Sequence, residues 1–175
     1  MKKIAFLLVL LFALNNTVLT VGAADALSGT AVSIVHDGET RIVSLENGYT
    51  AEVSFTVEPM AEEALRASAT TRSKFTSTMK IKNSLGMTIQ TLNAVGVFDT
   101  NGVVTIPVDA YGSGSSGNVS NPSNSLGPRG YSSWVKVRLT GSVPGHVATF
   151  DYTCTITCDA NKNSTAAWES VSYTH

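Results

Sequence analysis

The stretch His146–Cys158, HVATFDYTCTITC, constrains this chain more tightly than any other. From Thr149 onward polar and apolar residues alternate. Phe150, Tyr152, Cys154, Ile156 and Cys158 fall in one register, and Thr149, Asp151, Thr153, Thr155 and Thr157 in the other. Successive side chains of an extended strand point to opposite faces, so a period of 2 marks a strand with one buried and one solvated side. Thr, Tyr, Phe and Ile also pack well on a pleated surface. Such a strand needs paired neighbours at both edges and a second layer over its apolar side.

The rest of the chain supplies them. Ala31–Val35, Arg41–Leu45 and Tyr49–Val57 read as a three-stranded meander turning at Asp37-Gly38 and Asn47-Gly48. Those dipeptides favour tight hairpins, because the turn needs positive φ at its centre. Ser73–Lys82, Met87–Phe98 and Val103–Tyr111 follow, divided by Asn83-Ser84-Leu85-Gly86 and Asp99-Thr100-Asn101-Gly102. The apolar phase slips between Ile89 and Leu92, which is how a β-bulge reads in sequence. Tyr131–Thr140, His146–Cys158 and Ala166–Thr174 form a last meander through Pro144-Gly145 and Asp159–Asn163. About nine short, regularly spaced strands predict an all-β, antiparallel β-sandwich.

Two segments depart from this pattern. Residues 59–69 place Pro59 at a helix start, Glu62 and Glu63 in the first turn, and Ala and Leu thereafter, which predicts one short helical crossover. Gly112–Gly130 is rich in Gly, Ser, Asn and Pro, which predicts a long surface loop.

At the N-terminus a basic head, Met1–Lys3, precedes the uncharged apolar run Ile4–Leu14 and the small residues Val21-Gly22-Ala23-Ala24. This is the layout of a secretory signal peptide, residues 1–23. The apolar run is shorter than the roughly 20 residues that span a bilayer. The expected product is one secreted, extracellular β-sandwich domain, residues 24–175, with no integral membrane segment. Loss of Lys2 and Lys3 leaves 10 basic against 13 acidic residues. No clustered basic face is present for nucleic acid.

From Thr71 onward the chain carries Lys80-Ile81-Lys82-Asn83-Ser84-Leu85-Gly86, then Phe98 followed by Asn101-Gly102. A Ser/Gly segment, Trp134 heading a strand and a Thr-rich closing hairpin complete the layout. Over residues 71–175 it resembles small uncharacterised secreted β-rich proteins of Gram-positive bacteria. The resemblance implies export and a β-rich fold, and it brings no catalytic residues with it.

The two cysteines, Cys154 and Cys158, would stand roughly 13 Å apart in a strand at about 3.3 Å per residue. A disulfide needs Cα atoms within about 7 Å. They are therefore two buried thiols, a disulfide across a sharp local bend, or partners in intermolecular pairing. Their spacing fits neither a zinc ribbon nor a redox motif.

No catalytic, cofactor-binding or metal-binding set assembles from the sequence. His36, His146 and His175 sit at strand ends, and Gly112–Gly117 lacks the spacing of a nucleophile elbow. Asp99, Asp109, Asp151, Glu52 and Glu58 read as solvated-face residues rather than paired catalytic carboxylates. Asp159-x-Asn161-x-Asn163 opens like a calcium loop, but Ser164 and Ser170 occupy the positions of its glycine and its bidentate glutamate. Trp134, Trp168, Tyr131 and Tyr111 are candidates for ligand stacking, against the alternative that both tryptophans fill the core. The expected function is a non-enzymatic module binding a cell-wall polymer or surface protein. The alternatives are a secreted toxin or bacteriocin-like factor acting on a target envelope through a mobile Gly112–Gly130, and an extracellular hydrolase.

Overall fold

Ten antiparallel strands in two five-stranded sheets make up the computed structural model, which describes residues 32–35, 38, 40–45, 48–60, 70–115, 118–142 and 149–174. The strands are β1 (Val32–Val35), β2 (Arg41–Ser44), β3 (Thr50–Pro59), β4 (Thr71–Lys82), β5 (Thr88–Thr100), β6 (Thr105–Gly114), β7 (Val119–Leu126), β8 (Ser132–Ser142), β9 (Thr149–Asp159) and β10 (Ser164–Thr174). One sheet has the order β1-β10-β9-β8-β7 and the other β2-β3-β4-β5-β6. Each is thus a meander of consecutive strands, except that β1 crosses to pair with β10.

β9 lies at the centre of its sheet, as its alternation requires. Phe150, Tyr152, Cys154, Ile156 and Cys158 are all buried, while Thr153, Thr155 and Thr157 are half-exposed. The facing sheet contributes Ala51, Val53 and Phe55 from β3, Phe75, Met79 and Ile81 from β4, and Leu92, Ala94 and Phe98 from β5. Phe75 sits between Phe55 at 6.2 Å and Phe98 at 5.3 Å, the latter edge-on. Edge-to-face contact sets the positive rim of one ring against the negative face of the other. The layers come close together at Gly96, where an added Cβ would lie 2.6 Å from Val135 Cγ2. A buried polar bond crosses the core: the Trp168 indole N–H donates to Ser77 Oγ at 2.8 Å.

Three hairpins use the same closing device. Asn83 Oδ1 accepts the Leu85 and Met87 amides, Asn101 Oδ1 those of Val103 and Val104, and Asp159 Oδ1 those of Asn161 and Asn163. The side-chain oxygen takes donors that the turn would otherwise leave to water. The predicted bulge is present: Ile81 pairs with Gln90 and Lys82 with Thr88, so Ile89 is the extra residue.

The hairpin expected between β1 and β2 across Asp37-Gly38 is not formed: β1 lies in the other sheet, paired with β10. Two further expectations are corrected. Gly112–Gly130 is not a long loop. Gly112–Gly114 completes β6, and Val119–Leu126 forms a tenth strand, β7, paired with β8. Main-chain hydrogen bonds do not require apolar side chains, so a polar segment can occupy an edge where solvent covers its other side. Asn121 secures it by bridging the sheets. Its Oδ1 accepts the Gly112 amide of β6, and its Nδ2 donates to the Arg138 carbonyl of β8. The second correction concerns the helical crossover. Pro59 belongs to β3, pairing with Ser73, and the Met60 amide bonds to the Arg72 carbonyl. No helix occurs among the described residues; residues 61–69 lie outside them. Likewise no helix there is long and apolar enough to cross a membrane. The predicted signal peptide, residues 1–23, also lies outside the described residues.

Three substitutions probe these contacts. Gly96→Ala should cost about 1–3 kcal/mol through overpacking against the fully buried Val135. Asn121→Ala should cost roughly 1–3 kcal/mol by leaving the Gly112 amide and Arg138 carbonyl without their partner. Asn121→Asp should not restore the loss, because a carboxylate has no N–H to give Arg138. Denaturant unfolding measures all three, and wild-type midpoints would refute the assignment.

Candidate functional site

The outward face of β8, β9 and β10 is built from the polar half of each alternation. Ser132 pairs with Asp159, Trp134 with Thr157, and Thr157 with Thr165. Alternate residues of paired strands share a face, so these side chains converge at one end of the sheet. There the β9–β10 turn folds back, with Lys162 in the left-handed region at φ 69°. The result is an open depression of about 360 Å³, lined by Ser132, Thr157, Thr165, Asp159, Asn163 and Lys162. Ser164 also borders it, but its side chain is buried between the sheets.

The four aromatic candidates do not form one platform. Trp134 stands beside the depression, half-buried, with its ring across Gly127, where an added Cβ would come within 3.0 Å of the ring atoms. The Lys136 ammonium lies 5.2 Å from the ring centroid, in cation–π contact. Tyr131 is exposed near the same end, and its hydroxyl accepts Asn161 Nδ2 at 2.9 Å. Trp168 is 1 % exposed and belongs to the core. Tyr111, exposed on β6, pairs with Val95 on the outward side of the other sheet. The structure therefore brings Trp134 and Tyr131 toward the depression and places Trp168 and Tyr111 elsewhere.

The acidic residues are held by local partners. Arg72 makes two bonds of 2.7 Å to Asp99, Arg138 pairs with Asp151, Lys74 with Glu58, and Lys80 and Lys82 with Glu52. The Lys82 hydrogen bond, chiefly, holds the Glu52 carboxyl below its usual range. Asp109 accepts the Ala110 amide. At the depression Asp159 accepts the Asn161 and Asn163 amides through Oδ1 and Asn163 Nδ2 through Oδ2. The hairpin itself thus uses the carboxylate that would open a calcium loop. His36, His146 and His175 lie outside the described residues.

Cys154 and Cys158 are free and buried on the inner side of an unbroken β9. Burial pushes the Cys158 thiol up to about 11 and that of Cys154 higher still. A thiolate in an apolar interior loses its hydration, so the neutral form is favoured and nucleophilic reactivity suppressed.

Of the aromatic candidates named from the sequence, Trp134 and Tyr131 stand near this depression, whereas Ser132, Thr157, Thr165 and Lys162, which line it, were not singled out. The signal was present in the outward half of the β9 alternation, read only as solvated surface. Comparison with protein-family models, curated proteins and solved structures finds no match to this chain.

In the folded protein a disulfide reagent at about pH 8 should leave both thiols unmodified, whereas the unfolded chain should titrate two. Raised folded-state values mean that the unfolded chain releases its protons first. The thiols' contribution to stability should therefore be complete below about pH 9 and fall as pH rises toward 11. Unfolding free energies of wild type and a Cys154→Ala/Cys158→Ala variant, compared across this window, isolate the effect. Rapid native labelling would contradict the assignment.

Proposed function

We propose that this chain is a secreted, non-enzymatic β-sandwich module that binds a hydroxyl-rich cell-surface polymer at the depression between β8, β9 and β10. The observation that carries this reading is the lining: hydroxyl, amide and charged side chains converge in one concavity on rigid strands. Each Ser or Thr hydroxyl can both donate and accept, matching the groups of a sugar or polyol. A volume of about 360 Å³ lies within the roughly 300–1,000 Å³ typical of small-molecule sites, enough for one or two residues of a longer polymer. Trp134, with an apolar body and a polar edge, stands where a ring or chain leaving the concavity would pass.

The non-enzymatic part rests on how the reactive groups are used. Asp159 holds its own turn, and both thiols face the interior. The toxin alternative loses its motive, because most of the segment that would have inserted is paired in β6 and β7. Secretion follows from the Met1–Ala24 pattern.

The test is titration of the isotope-labelled protein, residues 24–175, with solubilised cell-wall polysaccharide. Amide shifts should cluster at Ser132, Trp134, Thr157 and Thr165. Thr157→Val, which keeps the shape and removes the hydroxyl, should weaken binding about two- to tenfold, the equivalent of one hydrogen bond. Shifts confined to the opposite sheet, or binding indifferent to Thr157, would reject this site.

A further inference from the structure

We infer that the polymer accepted at this depression is anionic, bearing phosphodiester or carboxylate groups, and that Lys136 and Lys162 are the residues that meet its charge. The inference rests on the binding reading above and adds to it the chemical class of the ligand.

Most cations elsewhere on the described surface are already paired. Arg72, Lys74, Lys80, Lys82 and Arg138 each have a carboxylate within ion-pair distance. The outward face of β3, β4 and β5 is thereby neutralised within itself. Arg41, at the far edge of the fold, donates to the Ser33 carbonyl. Arg41, Arg129, Lys136 and Lys162 form no ion pair among the described residues, and of these four Lys162 and Lys136 are the two placed at the depression.

Their setting separates them from ordinary surface lysines. Lys162 lines the depression directly. Lys136 pairs with Thr155, one outward position along from Thr157, and its ammonium is held against the Trp134 ring. An aromatic face attracts a cation without neutralising it, so the charge remains available to a ligand. The acid at the site is Asp159, whose oxygens accept three N–H groups from within the turn. Two positive charges, Lys136 and Lys162, thus stand beside the Thr157 and Thr165 hydroxyls against the single negative charge of Asp159. A neutral glycan would use the hydroxyls and could accept hydrogen bonds from the ammonium groups, but would leave their charge unmatched. A polymer alternating hydroxyl and anionic groups would engage all of them. Lysine, a compact charge with rotatable donors, accepts phosphate or carboxylate without demanding the bidentate geometry of arginine.

Calorimetric titration of the chain spanning residues 24–175 with poly(glycerol phosphate), polygalacturonate and dextran tests this. We expect at least one of the two anionic polymers to bind and dextran to bind at least tenfold more weakly. Affinity should collapse at about 1 M salt, where the screening length is near 3 Å. Lys136→Gln and Lys162→Gln should each lower affinity several-fold with unchanged melting temperature. Binding of one anionic polymer alone supports the inference and names the anion. Equal, salt-insensitive binding of all three, unaffected by the lysine variants, would overturn the charge assignment while leaving the hydroxyl site intact. Binding by none of them, with no shifts at Thr157 in the polysaccharide titration, would overturn both.

Discussion

Everything in this molecule depends on two apolar sheet faces pressed together, with β5 meeting β8 and β9 across Gly96. Burying a Phe, Leu, Ile or Val side chain contributes roughly 1.5–3 kcal/mol. The facing rows from Phe55 to Phe98 and from Val135 to Ile156 hold enough of them to oppose the entropy of ordering the chain. Where the layers touch there is no room for a side chain, and glycine allows the approach. Trp168 adds direction to this otherwise undirected attraction, because its N–H reaches Ser77 only in one relative placement of the sheets.

The depression depends on that packing indirectly. A strand whose inner side chains are locked in a core cannot turn about its axis, so its outer side chains are held in position too. Thr157 is placed by the burial of Ile156 and Cys158 on either side of it. The turn that closes the site is fixed by Asp159 rather than by packing, which leaves Lys162 and Asn163 on a polar scaffold at the end of a rigid one. Recognition groups on strands are held more firmly than groups on free loops.

Much of the fold was legible in the chain because hydrophobic alternation records burial directly. The three strands of each predicted group, the bulge near Ile89 and the central place of the Phe150 strand could all be read this way. The partner of β1 could not, because the Asp37-Gly38 signal pointed to β2 whereas β1 pairs with β10. Nor could β7, since Val119–Leu126 holds Ser120, Asn121, Pro122, Ser123, Asn124 and Ser125 and carries almost no record of burial. Its pairing is written in main-chain bonds and in one asparagine, whose role depends on a neighbour 17 residues away at Arg138. The site was half legible for a related reason. Trp134 and Tyr131 stand out as residue types, whereas Ser132, Thr157 and Thr165 gain meaning only from strand pairing that brings them side by side.

Asn121 and its neighbour Pro122 also bear on how this molecule meets copies of itself. Pro122 has no amide proton to offer, and the pairing of β7 with β8 is displaced between Ser120 and Ser123. Asn121 turns its amide back onto Gly112 and Arg138. An incoming ribbon would therefore meet an interrupted ladder along this flank, and the sheet resists growth into a fibril there. A segment composed almost wholly of small polar residues acts as the selvedge of the fabric, finishing an edge that would otherwise invite the next thread.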